Sequence, residues 1–206
     1  MLEVKKLAKK FGQRQILKDI SFTLNDGDIM TIVGQSGAGK TTLLRIIAGL
    51  ETKDSGQILV DGQNITQGQI GVVFQDFNLF PNLNVLENIT LAPRLVLKES
   101  EEAAKKQALA LLAQLKLTGH ETQYPYQLSG GQKQRVSIAR SLAMKPKILC
   151  YDEPTSALDP NLREEVKKMI LELKKTGLTQ LIITHDLVFA EKVADQVLRV
   201  KPLSEA

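Results

Sequence analysis

The sequence contains no tryptophan, a single cysteine, and aromatic side chains at only 4% of its 206 positions. With Cys150 alone, no disulfide can form within the chain, so the fold has to rest on a buried core, as suits a reducing compartment. The thiol sits in the apolar run Ile148-Leu-Cys-Tyr151, the setting of an inert buried cysteine rather than a nucleophile. No apolar run approaches the roughly 18–20 residues that cross a bilayer. The N-terminal Met1-Leu-Glu-Val-Lys-Lys has no apolar signal-peptide core. A soluble chain is expected, with any membrane role coming through a partner. Nor is one sign of charge dominant: 27 basic residues face 23 acidic ones, for a net charge of +4. The lysines come in short pairs mixed with glutamate and are not interleaved with aromatics. They read as solvated faces, and no nucleic-acid partner is expected.

What remains is ordinary for a globular protein: 43% hydrophobic and 24% charged residues, in a length that suits one large domain or a core with a subdomain. Within it lies one specific signal. Gly34-Gln35-Ser36-Gly37-Ala38-Gly39-Lys40-Thr41-Thr42 fits G-x-x-x-x-G-K-[ST], the phosphate-binding P-loop. Before it, Asp28–Val33 reads as a buried strand; after it, Thr42–Ala48 reads as a helix closed by Gly49. Gly34, Gly37 and Gly39 permit backbone that a Cβ would obstruct, so that successive N–H groups converge on phosphate oxygens. The helix N-terminus adds partial positive charge, Lys40 reaches the outer phosphates, and the Thr41 hydroxyl is placed to bind Mg²⁺. A nucleoside triphosphate is the expected ligand.

The rest of the chain supplies a frame for this loop. Short alternating segments at Leu2–Leu7, Ile20–Leu24 and Ile29–Val33, with turns at Gly12 and Asn25-Asp-Gly27, predict strands; Gly56–Asp61 and Ile70–Phe74 predict two more. From about Gln75 to Leu128 the pattern becomes that of a helical insert. Ser100 is a candidate cap for a helix running to about Leu117, with Ala104, Ala108, Leu111, Leu112 and Leu115 on one stripe. Gly130–Ala143 predicts a further helix. Lys147–Tyr151 and Leu181–Thr184 have the continuous apolar character of strands covered on both faces. Asp159-Pro160 opens a helix that Gly177 stops, Asp186 caps a short helix, and Gln196–Val200 is the last strand. Strand and helix in alternation mean an α/β core with a mostly parallel sheet.

Two further features carry chemistry. Ile148–Glu153 is an apolar strand ending in two carboxylates: Asp152 is placed to hold Mg²⁺, and Glu153, pointing elsewhere, to face an attacking water. Leu128-Ser129-Gly130-Gly131-Gln132 precedes a helix, with Ser129 as N-cap and glycines that leave amides open to an anion. One chain thus has two phosphate-reading surfaces.

The ordered set resembles the ATP-binding subunit of ABC (ATP-binding cassette) transporters. Gly34–Thr41 matches Walker A, Gln75 the Q-loop, Leu128–Gln132 the signature, Ile148–Glu153 Walker B, Ser156-Ala-Leu-Asp159 the D-loop and His185 the switch histidine. The resemblance covers essentially residues 1–200. It implies an α/β fold: a P-loop NTPase core with a mostly parallel sheet, an N-terminal antiparallel β subdomain and an α-helical subdomain. Residues 1–206 would form a single cassette, with 1–74 and 145–206 as the β subdomain and core and about 75–144 as the helical subdomain. ATP and Mg²⁺ are the implied cofactors. Phe11 would stack on adenine. Gln75 would touch the metal and the attacking water and relay nucleotide state to the helical subdomain. Glu153 would serve as the catalytic base, and His185 would hydrogen-bond the γ-phosphate. Ser129, Gly130, Gly131 and Gln132 would bind the nucleotide of the opposite subunit, and Asp159 would cross the interface.

The implied assembly is a head-to-tail dimer of two copies on transmembrane permease subunits, peripheral on the cytoplasmic face of the inner membrane, with an extracytoplasmic solute-binding protein as an indirect partner. Phe77–Pro81, Val85–Pro93 and Tyr124–Ser129 look most like the polar amino-acid importers. The stretch between Asn64 and Ile70 is short for an importer cassette, and an early end like that after Val200 also occurs in cassettes resembling the lipoprotein-release and cell-division types. A cassette acting on DNA or ribosomes is a further reading, but such relatives carry long coiled-coil arms or fused cassettes. A cassette that signals at the membrane without translocating solute is another.

Overall fold

A computed structural model of the chain describes residues 1–66, 68–156 and 158–203. The first strands are β1 (Leu2–Phe11), β2 (Arg14–Leu24) and β3 (Ile29–Val33), followed by helix α1 (Lys40–Ile47). Next come β4 (Ser55–Val60), β5 (Gln63–Asn64) and β6 (Ile70–Val73), then helices α2 (Val85–Leu95), α3 (Glu101–Gln114) and α4 (Gly130–Ala143). The chain returns through β7 (Ile148–Asp152), α5 (Pro160–Lys175), β8 (Thr179–Thr184), α6 (Leu187–Val193) and β9 (Gln196–Arg199).

The strands form two sheets. One is antiparallel in the order β2-β1-β4-β5; the other, β6-β7-β8-β3-β9, is parallel throughout. The parallel strands explain the continuous apolar runs, because every residue of β3, β7 and β8 is buried. Alternate side chains point to two cores. Ile148, Cys150, Leu181 and Ile183 meet α1 and the antiparallel sheet, whereas Leu149, Tyr151 and Ile182 meet residues of α2 to α6. Cys150 lies wholly inside, and burial pushes its thiol up to about 12, the direction that disfavours the reactive thiolate.

The hairpin strands run further than the sequence pattern predicts, because β1 and β2 carry register shifts that break the two-residue alternation. The β1–β4 pairing also shifts register, between Lys5 and Ala8, and there β4 carries Gly56 with φ +92°. A Cβ there would lie 2.5 Å from the Lys6 carbonyl oxygen and 2.6 Å from that of Lys5, with no flexible atom to yield. Gly56→Ala is therefore expected to destabilise the fold by about 2–4 kcal/mol, combining left-handed strain with overpacking. Urea denaturation should show a lower midpoint at an unchanged slope.

Helix α2 has no counterpart among the helices expected from periodicity. Its β-branched Val85, Ile89 and Thr90 and its internal Pro93 mask a helical pattern. Asn84 and Glu87 nevertheless form a capping box at its start, which is the signal that marks it. Ser100 caps α3 as expected, but the helix stops at Gln114, and Lys116 turns the chain with φ +57°. Helices α2, α3 and α4 pack on one another, and α4 also lies against β6.

Candidate active site

In a parallel sheet all strands deliver their carboxyl ends to the same edge. Here Gly34 follows β3, Gln75 follows β6, Glu153 follows β7 and His185 follows β8. Distant segments of sequence thereby meet. One cavity of about 430 Å³ is lined by Ser36, Gly37, Gly39, Lys40, Thr41, Thr42, Gln75, Glu153 and His185, with Arg14 and Ile16 of β2.

The glycines of the loop differ in what requires them. A Cβ on Gly34 would lie 2.2 Å from the Val200 carbonyl oxygen, so this glycine admits the end of β9. Gly39 holds φ +82° under Leu17 and Ile16, and it stands at the N-cap of α1 without offering a side-chain cap. The other five α-helices among the described residues are each capped by a side chain. The first amides of α1 are thus left to an external acceptor, which the helix dipole makes anionic by preference. Ala38 is buried beneath the loop, and Gln35 is exposed beside it.

Lys40 is 8% exposed, and its ammonium donates to the carbonyls of Gly34 at 2.9 Å and Gln35 at 3.2 Å. The Thr41 hydroxyl donates to Asp152 Oδ1 at 3.2 Å. Burial pushes the Asp152 carboxyl above the usual aspartate range; the Thr41 hydrogen bond opposes this, Glu153 adds to it, and Arg45 and Lys40 oppose it. The carboxylate of Glu153 is held on both sides. Its Oε2 accepts from the His185 main-chain N–H at 3.2 Å and meets His185 Nδ1 at 2.9 Å, while its Oε1 lies 4.0 Å from Lys40 Nζ. Glu153 adopts φ +51°, an uncommon conformation for a non-glycine residue and one found at functional sites. A carboxylate neighbour favours the hydrogen on Nδ1 of His185, and the ring lines the cavity.

Not every expected site residue joins this cavity. Ser129 caps α4: its Oγ accepts from the Gln132 amide, and Gln132 Oε1 accepts from the Ser129 amide at 2.8 Å. The hydroxyl proton of Ser129 stays available to a ligand, and Gly130 is exposed beside it. Gly131 faces inward, where a Cβ would meet Leu162 of α5 at 2.9 Å. This surface is separate from the P-loop cavity. Asp159 caps α5 through Asn161 and Leu162. Ala157, in the same expected loop, lies outside the described residues. Phe11 closes β1 with 49% exposure, and the Lys9 ammonium sits 4.8 Å from its ring centroid. A core role is thereby excluded for Phe11, although it does not line the cavity. Arg14 and Ile16, which do, were not singled out by sequence. They reach the site only because the hairpin folds over the P-loop.

Comparison with known proteins agrees with this geometry. The ABC transporter family profile matches residues 17–156. The arginine transport ATP-binding protein ArtM of Bacillus subtilis is 47% identical over 96% of this chain and 86% of its own length. The glutamine transport ATP-binding protein GlnQ of Escherichia coli is 45% identical with the same coverage. Among solved structures, the dimeric form of a bacterial ABC transporter cassette superposes with a TM-score of 0.84 at 34% identity, over 98% of this chain and 95% of that one. The structure of cbiO1 from Clostridium perfringens, part of the ABC transporter complex cbiONQ, gives 0.89 at 32% identity, over 98% and 84% of the two chains. A P-loop on an uncapped helix, a paired acid strand, a second serine–glycine surface and these likenesses lead to one conclusion: the chain belongs to the ABC transporter family, as an ATP-binding and hydrolysing cassette.

Proposed function

We propose that the chain energises amino-acid uptake as the peripheral ATPase of a transporter whose permease subunits sit in the membrane. The observation that carries this reading is the separation of the P-loop cavity from the Ser129 surface, which gives each subunit two halves of different sites. Residues 1–206 act as one cassette, with 1–74 and 145–206 as the β subdomain and core and about 75–144 as the helical subdomain. Two copies associate head to tail, so that ATP on one P-loop is covered by Ser129, Gly130, Gly131 and Gln132 of its mate, with Asp159 at the shared boundary. Phe11 stacks on the adenine. No helix among the described residues is long and apolar enough to cross a membrane, so the reading requires a membrane-embedded partner. The choice of amino acids rests on relatives named for arginine and glutamine transport. A solute-binding protein outside the membrane completes the uptake system.

The residues divide the chemistry. Lys40 and the first amides of α1 bind the phosphates, and the Ser129 hydroxyl and its neighbouring amides donate to the γ-phosphate from the other side. Gln75 orients a water, and Glu153 accepts its proton. His185, held by Glu153 at Nδ1, hydrogen-bonds the γ-phosphate. Thr41, Asp152 and Gln75 offer the hard oxygen donors that suit Mg²⁺, which when bound neutralises phosphate charge. Because burial raises the Asp152 carboxyl, protons compete with the metal at a higher pH than an ordinary aspartate would allow. Mg²⁺ affinity in the presence of ATP should fall on acidification while the carboxyls of the surface are still ionised. Titration calorimetry across the acidic range checks this; the same acid dependence in an Asp152→Asn variant would contradict it. The uptake reading is tested by co-purification from membranes followed by ATP-driven amino-acid accumulation in reconstituted vesicles. Failure of a permease-bound, ATP-hydrolysing preparation to accumulate any amino acid would remove it.

A further inference from the structure

The turn that carries Gln75 is gripped from the signature helix. Phe77 N–H donates to the Phe74 carbonyl at 3.0 Å, closing a turn whose inner residues are Gln75 and Asp76. The two residues that follow are left-handed without being glycine: Phe77 at φ +60° and Asn78 at φ +47°. Such a pair persists only where its surroundings hold it. Here the surroundings belong to α4. Arg140 Nη2 donates to the Phe77 carbonyl at 2.9 Å and Nη1 to the Asn78 carbonyl at 2.7 Å. Ser137 Oγ donates to the same Phe77 carbonyl at 3.1 Å, and the guanidinium lies 5.8 Å from the Phe80 ring centroid. One turn further, Ser141 Oγ donates to the Val72 carbonyl of β6 at 2.9 Å.

The same helix begins at Ser129 and touches the catalytic loop on the way. Gln134, 1% exposed, donates to the Pro154 carbonyl at 2.6 Å, one residue beyond Glu153. From Ser129 to Arg140 the helix spans about 16 Å. A planar fork with fixed donors is suited to clamp two adjacent carbonyls in one geometry, which an ammonium does not do.

We infer that Arg140 is a positioning residue for hydrolysis, fixing the left-handed turn behind Gln75 and joining it rigidly to the Ser129 surface. This rests on the reading of Gln75 as a residue of the active site.

The test is steady-state ATP hydrolysis by the full chain. Arg140→Lys keeps the charge and loses the fork. It should lower kcat about 10-fold while KM for ATP changes less than about twofold, as expected for misplacement of a group acting in the transition state. Gln75→Ala should also lower kcat, and the double variant should be no slower than the worse single one, since both act through one group. Ser137→Ala, which takes a single hydroxyl from Phe77, should give a smaller effect in the same direction and serves if the lysine variant does not fold. An unchanged kcat in folded Arg140→Lys, or effects of Arg140→Lys and Gln75→Ala that multiply, overturns the inference while leaving the site intact. If Gln75→Ala alone is silent, the role of Gln75 is wrong and the inference falls with it.

Discussion

Glu153→Gln is expected to slow ATP hydrolysis by about 10²–10⁴-fold, the usual scale for loss of a general base. ATP binding should survive. Glu153 touches Lys40 only at 4.0 Å, whereas the phosphates are proposed to rest on the Lys40 ammonium and the first amides of α1. The amide is also nearly isosteric, so the left-handed backbone at Glu153 and the hydrogen bond from the His185 main chain can persist. Single-turnover hydrolysis and equilibrium nucleotide binding measure the two effects separately. Undiminished turnover would remove Glu153 from the mechanism. A loss of binding equal to the loss of rate would instead make it a structural anchor for His185.

Lys40→Ala is expected to weaken ATP binding by about 10- to 100-fold, the range that follows from losing charge-assisted hydrogen bonds to phosphate. The ammonium is pre-positioned: it is nearly buried, and the carbonyls of Gly34 and Gln35 hold it over the loop. Its removal frees those carbonyls as well, so the loop loses an internal tie together with its charge. Fluorescent-nucleotide titration checks this. Affinity within about twofold of the parent, less than 0.5 kcal/mol, would mean that the amides alone hold the phosphates. The contrast between the variants separates binding from chemistry, because one acts on the ground state and the other on the proton transfer.

Much of this site was legible in the sequence because each of its parts follows a local rule. The P-loop needs a strand, glycines and a helix in contiguous order, and Asp152-Glu153 ends a recognisable apolar strand. Ser129, Asp159 and Asp186 are caps, which declare helix starts by residue type. Features set by tertiary contact were hidden. Gly34 owes its identity to Val200, which is 166 residues away, and Gly131 owes part of its identity to Leu162. Helix α2 was concealed because packing against α3 and α4 overrides weak propensity in Val85, Ile89 and Thr90. Arg14 and Ile16 carry no motif; they line the cavity because the antiparallel hairpin lies across it. The grip of Arg140 on Phe77 and Asn78 joins segments 63 and 62 residues apart, and no spacing rule reveals it.

The account depends on two chains enclosing each nucleotide, and the mass of the Glu153→Gln protein in solution tests it most directly. Light scattering should give one chain's mass without nucleotide and twice that mass with saturating ATP. Ser129→Arg, placed in the same background, should restore the single-chain mass while ATP still binds the P-loop. A protein that keeps one chain's mass at every ATP concentration while its parent hydrolyses ATP, or a dimer indifferent to Ser129→Arg, would contradict it.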